Sequence, residues 1–205
     1  MKLTTSIHIE KGSADLQDRA EIFHSGDRTI IALADGVGGI AGGTLAAETF
    51  VYTIQQAVEH LTDAAACRQL LRQIDWALRG DLSGGQTTGI VAVVEGNKLF
   101  GASCGDSEAR IFRSDERFLT PLTERTKKFL GTGEALINEF TSTISGTLVI
   151  ATDGLWKYAK SSEIAALIQT VAVDILAAKL ADLSRLKSGV LPDDIAVVCC
   201  RSEHD

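Results

Sequence analysis

Apolar positions along this chain follow two spacings, and the order in which these alternate sets the fold class. Extended apolar runs come first, at Ile7–Ile9, Ala20–His24 and Thr29–Ala34, followed by a glycine-rich loop from Gly36 to Gly43. Ala46, Phe50, Ile54, Ala57, Val58 and Leu61 then recur at the three- and four-residue intervals of one helix face. Leu70, Leu71, Ile74 and Leu78 repeat that pattern, so Thr62–Arg79 reads as a second helix. Strand-like runs return at Thr87–Val94, Lys98–Ser103 and Ala109–Phe112, with Glu95-Gly96-Asn97 as a hairpin turn between the first two. A strand at Thr147–Thr152 leads into Asp153-Gly154. Further on, Ile175, Leu176, Leu180, Leu183 and Leu186 mark one face of a helix, followed by a turn at Gly189–Pro192 and a last strand, Ile195–Cys200. Strands, two helices, more strands, then helix and strand is not the strict alternation of a parallel β-α-β fold. The pattern predicts a mixed or antiparallel α+β arrangement with helices covering sheets.

Composition narrows the picture. A chain of 205 residues, 45% hydrophobic and 23% charged, has the size and balance of one globular domain, 1–205. Two prolines and no Gly/Ser linker leave no place for a domain boundary. Aromatics are only 5%, so the core is expected to be aliphatic. A net charge of −7 with no Lys/Arg cluster argues against a nucleic-acid partner. The opening MKLTTSIHIEKG lacks the apolar core of a signal peptide, and no uncharged run approaches the roughly 18 residues of a membrane helix, so a cytoplasmic protein without a membrane role is expected. Cys67, Cys104, Cys199 and Cys200 show no metal-type spacing and are read as reduced, buried small hydrophobes.

The candidate chemistry lies in aspartates. Asp35, Asp106 and Asp153 each follow an apolar β-run, and Asp193 immediately precedes the last strand. Any one of them could simply be a turn residue. Their shared context points further, because Asp-Gly directly after an apolar strand occurs at both Asp35 and Asp153, and rigid strand ends are suitable places to fix ligands. Hard cations such as Mg²⁺ and Mn²⁺ prefer carboxylate, carbonyl and water oxygens, and glycine after Asp35 would let its carbonyl approach a cation. One aspartate bridging two cations, with others completing the shells, makes a chemically complete site. A competing pattern is Gly36-Val37-Gly38-Gly39-Ile40-Ala41, which satisfies a dinucleotide-binding fingerprint. That fingerprint needs a parallel strand after its helix, whereas Thr62–Arg79 reads as another helix.

Taken together, Ala34-Asp35-Gly36-Val37-Gly38-Gly39, Gly85-Gln86-Thr87-Thr88, Gly105-Asp106-Ser107, Ala151-Thr152-Asp153-Gly154-Leu155-Trp156 and Asp193-Asp194-Ile195-Ala196-Val197-Val198, with Gln17-Asp18 before them, resemble the bacterial metal-dependent serine/threonine phosphatases called type 2C, or PPM. They occur in that family's order and cover nearly the whole chain. The resemblance implies a four-layer α-β-β-α sandwich with a central pair of mainly antiparallel sheets. It also implies hydrolysis of phosphoserine or phosphothreonine on proteins by an activated water at a pair of Mn²⁺ or Mg²⁺ ions. Asp35, Asp153 and Asp193 would be the catalytic carboxylates. Asp35 would bridge both cations, the Gly36 carbonyl would bind one of them, Asp153 and Asp193 would hold the other, and Asp18 would act through water. Asp106 matches a ligand of a third, looser cation, and Asp194 would support the ligands from behind. The implied partner is a phosphoprotein, the substrate of a cognate Ser/Thr kinase, and the expected state is a monomer. No protein nucleophile is needed, and His8, His24, His60 and His204 form no triad.

Departures from the family pattern sharpen other expectations. The position of the arginine that grips substrate phosphate is Ser13, with Lys11 or Arg19 as substitutes, though a lysine lacks the two-pronged fit of a guanidinium. Val37 stands where many eukaryotic members carry a histidine. Glu108, Arg125 and Lys157 are read as changes in the surrounding shell and substrate surface. Only 47 positions separate Asp106 from Asp153, so the flap bordering the site is expected to be short or absent, and Thr126–Ser145, with Gly131, Gly133 and Asn138, is read as a flexible surface loop. Ser13 also motivates an alternative, a phosphoprotein-binding pseudophosphatase or scaffold with weak turnover. A regulatory phosphatase acting on one phosphoserine partner shares the same sequence signals.

Overall fold

The computed structural model describes residues 3–12, 15–37, 42–80, 85–121 and 128–202. Ser13, Gly38, Gly39, Ile40, Ala41, Arg125, Thr126 and His204, named above, lie outside the described residues.

Two five-stranded sheets form the centre, and every pairing within them is antiparallel. In one sheet β2 (Asp18–Ser25), β3 (Arg28–Asp35), β4 (Gly89–Glu95), β5 (Lys98–Cys104) and β8 (Ile137–Thr143) lie side by side in that order. The other runs β1 (Leu3–Glu10), β10 (Ile195–Ser202), β9 (Thr147–Ala151), β6 (Glu108–Phe112), β7 (Glu116–Phe118). Helices α1 (Gly43–Ala57) and α2 (Ala64–Gly80) follow β3, joined by a short 3-10 turn at Val58–His60. Helices α3 (Asp153–Trp156), α4 (Ser161–Thr170) and α5 (Val173–Asp182) fall between β9 and β10.

Side-chain parity shows how the layers stack. Alternate residues of a strand point to opposite faces. On β3, Ile30, Ala32 and Ala34 pack with Phe50, Ile54, Leu71 and Ile74 of α1 and α2, while Ile31 and Leu33 face the second sheet. On β10, Ala196, Val198 and Cys200 face inward, and Ile195, Val197 and Cys199 pack with Leu176, Ala177 and Leu180 of α5. Three aliphatic cores therefore separate four layers, the α-β-β-α sandwich expected from the resemblance. Burial on both faces also explains why these strands read as unbroken apolar runs although their sheets are antiparallel. The four cysteines are free and buried, and burial pushes all their thiols up. Two helices in succession after β3 leave no parallel strand for a dinucleotide fold. No helix among the described residues is long and apolar enough to cross a membrane.

The structure corrects several finer readings. Strands β7 and β8 and helix α4 carry no strong sequence signal, because β8 buries only Phe140 and α4 buries only Ile164 and Ile168. The last helix faces inward with Val173, Leu176, Ala177, Leu180 and Ala181, while Ile175 and Leu186 are each 51% exposed. The expected stripe holds at Leu176 and Leu180 and in part at Leu183 but fails at Ile175 and Leu186, and it omits Ala177 and Ala181, the alanines that let α5 lie close across β1 and β10. Glu108 is not part of a substrate surface: it is buried and paired with Arg110 at 2.6 Å.

Nor is the described part of Thr126–Ser145 a loose loop. Leu130 is fully buried and exchanges backbone hydrogen bonds with Thr87. Asp75 of α2, itself buried, accepts hydrogen bonds from the N–H groups of Gly131 and Gly133, both at 2.8 Å, and of Ala135 at 3.2 Å. Hydrogen bonds to a charged, buried acceptor are among the stronger ones, and their loss strands the donors. Asp75→Ala is therefore expected to lower stability by about 3 kcal/mol in urea denaturation, with Asp75→Asn milder because one carbonyl oxygen is kept.

Candidate active site

Every candidate aspartate sits where an element of the sandwich ends. Asp18 opens β2 and Asp35 closes β3, and the two are register partners across that hairpin. Asp106 lies between β5 and β6, Asp153 begins α3 directly after β9, and Asp193 and Asp194 precede β10. Because both sheets present these ends on the same side, Asp35, Asp106, Asp153, Asp193 and Asp194 line one cavity of about 310 Å³. Gln17, Gly36, Val37, Thr88, Phe129 and Lys157 complete its lining.

The backbone of Asp35 is fixed from three directions. Its N–H donates to Thr88 Oγ1 at 2.9 Å, and its carbonyl accepts from Thr88 N–H at 2.8 Å and from Thr87 Oγ1 at 2.9 Å. Thr88 Oγ1 in turn meets Ser107 Oγ at 2.8 Å, and Val37 N–H donates to the Gln86 carbonyl at 2.9 Å. Thr87, Thr88 and Ser107 thus frame Asp35, and Gln86 holds Val37 just beyond it.

A second set of bonds ties the two sheets together at the site. Asp18, 1% exposed, accepts from Thr152 Oγ1 at 2.7 Å, and the same Thr152 oxygen accepts from Ala196 N–H at 3.0 Å. Asp194 takes Gly12 N–H on one carboxylate oxygen at 2.9 Å and Gln17 N–H on the other at 2.8 Å, and its own N–H donates to Asp193 Oδ1 at 3.0 Å. Sequence reasoning missed Thr87, Thr88, Ser107 and Thr152 as individuals, since neutral hydroxyls carry no signal apart from their neighbours.

The two Asp-Gly steps have a packing cause. A Cβ on Gly36 would lie 2.5 Å from the Gly43 carbonyl oxygen at the start of α1, and one on Gly154 would lie 2.0 Å from the Asp194 carbonyl oxygen. Both glycines let a neighbouring backbone approach the aspartate before them.

Like charges gathered this closely resist ionisation. Burial, then the negative charges of neighbouring aspartates, lifts the pKa of Asp35 above the carboxylate range; burial likewise lifts Asp18, with Asp194 and Asp153 adding to it. Asp193 is raised by burial and by Asp153. Lys157 reaches into this field: its ammonium pairs with Asp153 and lies 3.9 Å from Asp193. Burial alone would lower its pKa, but the hydrogen bond to Asp153 and the surrounding negative charge outweigh that and raise it. Among the described residues, no three His, Cys, Asp or Glu side chains are drawn together tightly enough to form a metal cage as they stand.

The remaining phosphate-binding candidates are placed apart. Arg19 lies outside the cavity lining; its guanidinium donates to the Leu16 and Asp18 carbonyls and pairs with Glu48 of α1 at 2.7 Å. Lys11 is exposed, one residue before the Gly12 that binds Asp194.

A family model described as protein phosphatase 2C matches residues 6–185. The chain belongs to the protein phosphatase 2C family. It is thereby a protein serine/threonine phosphatase by class, although Asp193, Asp194 and β10 lie beyond the matched residues. Solved structures agree in fold. The serine/threonine phosphatase Stp1 from Staphylococcus aureus superposes with a TM-score of 0.85 at 18% identity, over 99% of this chain and 96% of its own. The Mycobacterium tuberculosis serine/threonine phosphatase PstP/Ppp gives 0.79 at 23% identity, over 98% and 99%. The catalytic domain of PstP in complex with two manganese ions gives 0.75 at 22% identity, over 97% of each chain. No curated protein matched by sequence.

The raised carboxylate pKa values carry a sign for stability. A folded state that holds protons more tightly than the unfolded chain loses stability as pH rises through the window between the two pKa values. In chelator, the melting temperature of this phosphatase is therefore expected to fall as pH rises from about 4, the ordinary aspartate pKa, through the folded values of about 7 for Asp18 and about 9 for Asp35. Asp35→Asn should flatten that slope, and an equally steep slope in the variant would contradict the assignment of the strain to this cluster.

Proposed function

We propose that this phosphatase hydrolyses phosphoserine and phosphothreonine on proteins at a centre that takes up two divalent cations, Mn²⁺ or Mg²⁺. The observation that carries the reading is the convergence of five aspartates from both sheets on one cavity. The donor set fits such cations: carboxylates and backbone carbonyls with no thiolate or imidazole, the oxygen ligands that hard ions select. Burial of so many like charges also calls for countercharge, as the raised pKa values of Asp18, Asp35 and Asp193 indicate. The manganese complex of the PstP catalytic domain, which has the same fold, supports two ions.

In this reading Asp35 would serve both cations, with the Gly36 carbonyl for one of them and Asp153 and Asp193 for the other, and Asp106 would hold a third, looser one. When bound, the cations supply Lewis acidity toward phosphoryl oxygens and lower the pKa of water, so no protein nucleophile is required. Asp18 stands behind Asp35 and, fixed by Thr152, orients it or acts through water. Asp194 holds the Asp193 backbone through its two backbone donors. Without cations the acidic cavity would repel a phosphate dianion, so substrate binding depends on metal loading. Lys11, beside Gly12 at the edge of the site, is the candidate that would meet the phosphate, because Arg19 is committed to Glu48. The substrate is then a phosphoprotein of a cognate Ser/Thr kinase, and the protein acts as a cytoplasmic monomer.

With Mn²⁺, the purified protein should release phosphate from p-nitrophenyl phosphate and from phosphothreonine peptides. Asp35→Asn should reduce turnover by at least about 100-fold while retaining the native circular dichroism spectrum, since loss of a ligand exceeds the 10–100-fold typical of its supporting partners. Turnover retained by Asp35→Asn would remove Asp35 from its bridging role. A wild-type protein whose melting temperature rises with Mn²⁺ but which releases no phosphate would instead be the phosphoprotein-binding scaffold.

A further inference from the structure

Among the described residues lining the acidic cavity, only Lys157 is basic. Its position is built. Trp156, its neighbour, donates Nε1–H to the Ala151 carbonyl at 2.9 Å and is covered by the Arg110 guanidinium 3.9 Å from its ring centre. Arg110 is itself clamped by Glu108 and Glu116, each at 2.6 Å. Lys157 N–H donates to the Asp153 carbonyl at 2.9 Å, which closes α3. The lysine stem therefore leaves a fixed helix end, and its ammonium comes to rest on Asp153 with Asp193 at 3.9 Å. Those are the two carboxylates read above as holding one of the divalent ions.

An ammonium and a divalent cation drawn to the same two carboxylates repel each other, and the repulsion grows as the cavity excludes water. Lys157 is 50% exposed on a four-carbon stem, so it can withdraw into solvent. We infer that Lys157 is a tethered cation that competes with the divalent ion for Asp153 and Asp193. This inference deepens the proposed function and rests on its assignment of those two aspartates. Metal uptake then divides in two: the ion held by Asp35 and Gly36 binds without displacing the ammonium, and the ion held by Asp153 and Asp193 binds only as the ammonium leaves. The population with Lys157 withdrawn scales the apparent affinity of that second ion.

Calorimetric titration of metal-stripped protein with Mn²⁺ tests this directly, comparing wild type with Lys157→Gln and Lys157→Arg. Lys157→Gln is expected to bind one of its ions about tenfold tighter or more, given the range of charge effects in half-exposed sites. Lys157→Arg, which keeps the charge, should stay near wild type. In chelator, Lys157→Gln should melt at a lower temperature, because the acidic cluster has lost its countercharge, and saturating Mn²⁺ should restore it. Equal Mn²⁺ constants in wild type and Lys157→Gln would overturn the competition and leave the metal reading standing. Mn²⁺ bound by none of the three proteins would overturn both.

Discussion

The hydrogen bonds that pin the Asp35 backbone to Thr87 and Thr88 set the point from which the site is built. Carboxylates repel, so they converge only where other groups hold their backbone or their oxygens in place. Here neutral hydroxyls and amides provide that hold: Thr87 and Thr88 for the Asp35 backbone, Thr152 for the Asp18 carboxylate, and Gly12 and Gln17, through the Asp194 carboxylate, for Asp193. The donor from Thr152 favours the charged form of Asp18 and partly offsets its burial, whereas the hydrogen bond between Asp35 and Asp18 adds to the upward push on Asp35. The frame also crosses between sheets, since Thr152 stands after β9, Asp18 opens β2, and Ala196 belongs to β10.

Such a frame needs a rigid support, and the sandwich supplies it through parity. Central strands buried on both faces cannot slip by one residue without exchanging their inner and outer side chains. Ile31 and Leu33 would then face the helices, and Ile30, Ala32 and Ala34 the opposite sheet, where their smaller volumes would leave cavities. Register is therefore tightly specified, and with it the places where β2, β3, β9 and β10 end. Burying one aliphatic side chain contributes roughly 1.5–3 kcal/mol, so the three cores far outweigh the repulsion among a handful of aspartates. The site is a locally unfavourable cluster imposed by a favourable fold.

How much of this was legible in the residues depended on which physical signal each part carries. β3, β4, β9 and β10 were readable because burial on both faces makes long apolar runs, and α1 and α2 because their apolar residues keep a helical period. β8 was not, since an edge strand burying only Phe140 resembles a polar loop. The buried stripe of α5 was legible only at Leu176 and Leu180, because Ala177 and Ala181 do the close packing and the larger Ile175 faces solvent. The acidic cluster was suggested by Asp at strand ends, while a packing reason for the glycines after Asp35 and Asp153, the approach of the Gly43 and Asp194 backbones, carries no sequence signal. Asp75 gave no signal at all, because a buried carboxylate inside an amphipathic helix is recognisable only once Gly131, Gly133 and Ala135 are seen pointing at it.

Charge balance links the cluster to its chemistry. Five aspartates line the cavity and carry five formal negative charges when all are ionised, one more than two divalent cations neutralise. A cavity so balanced holds a phosphate dianion weakly, so further positive charge has to be supplied. In the proposed reading two sources would serve: a looser cation at Asp106, or an ammonium that turns from carboxylate to phosphate. Lys157 would meet the second description once its carboxylates are occupied, and Lys11 precedes the Gly12 whose N–H binds Asp194. Neither forms the planar, two-pronged clamp of a guanidinium, so grip on the phosphate is traded for a point charge that can move. Discrimination among phosphoproteins then has to arise from the protein surface around the cavity, where contacts beyond the phosphate decide which substrate stays long enough to react.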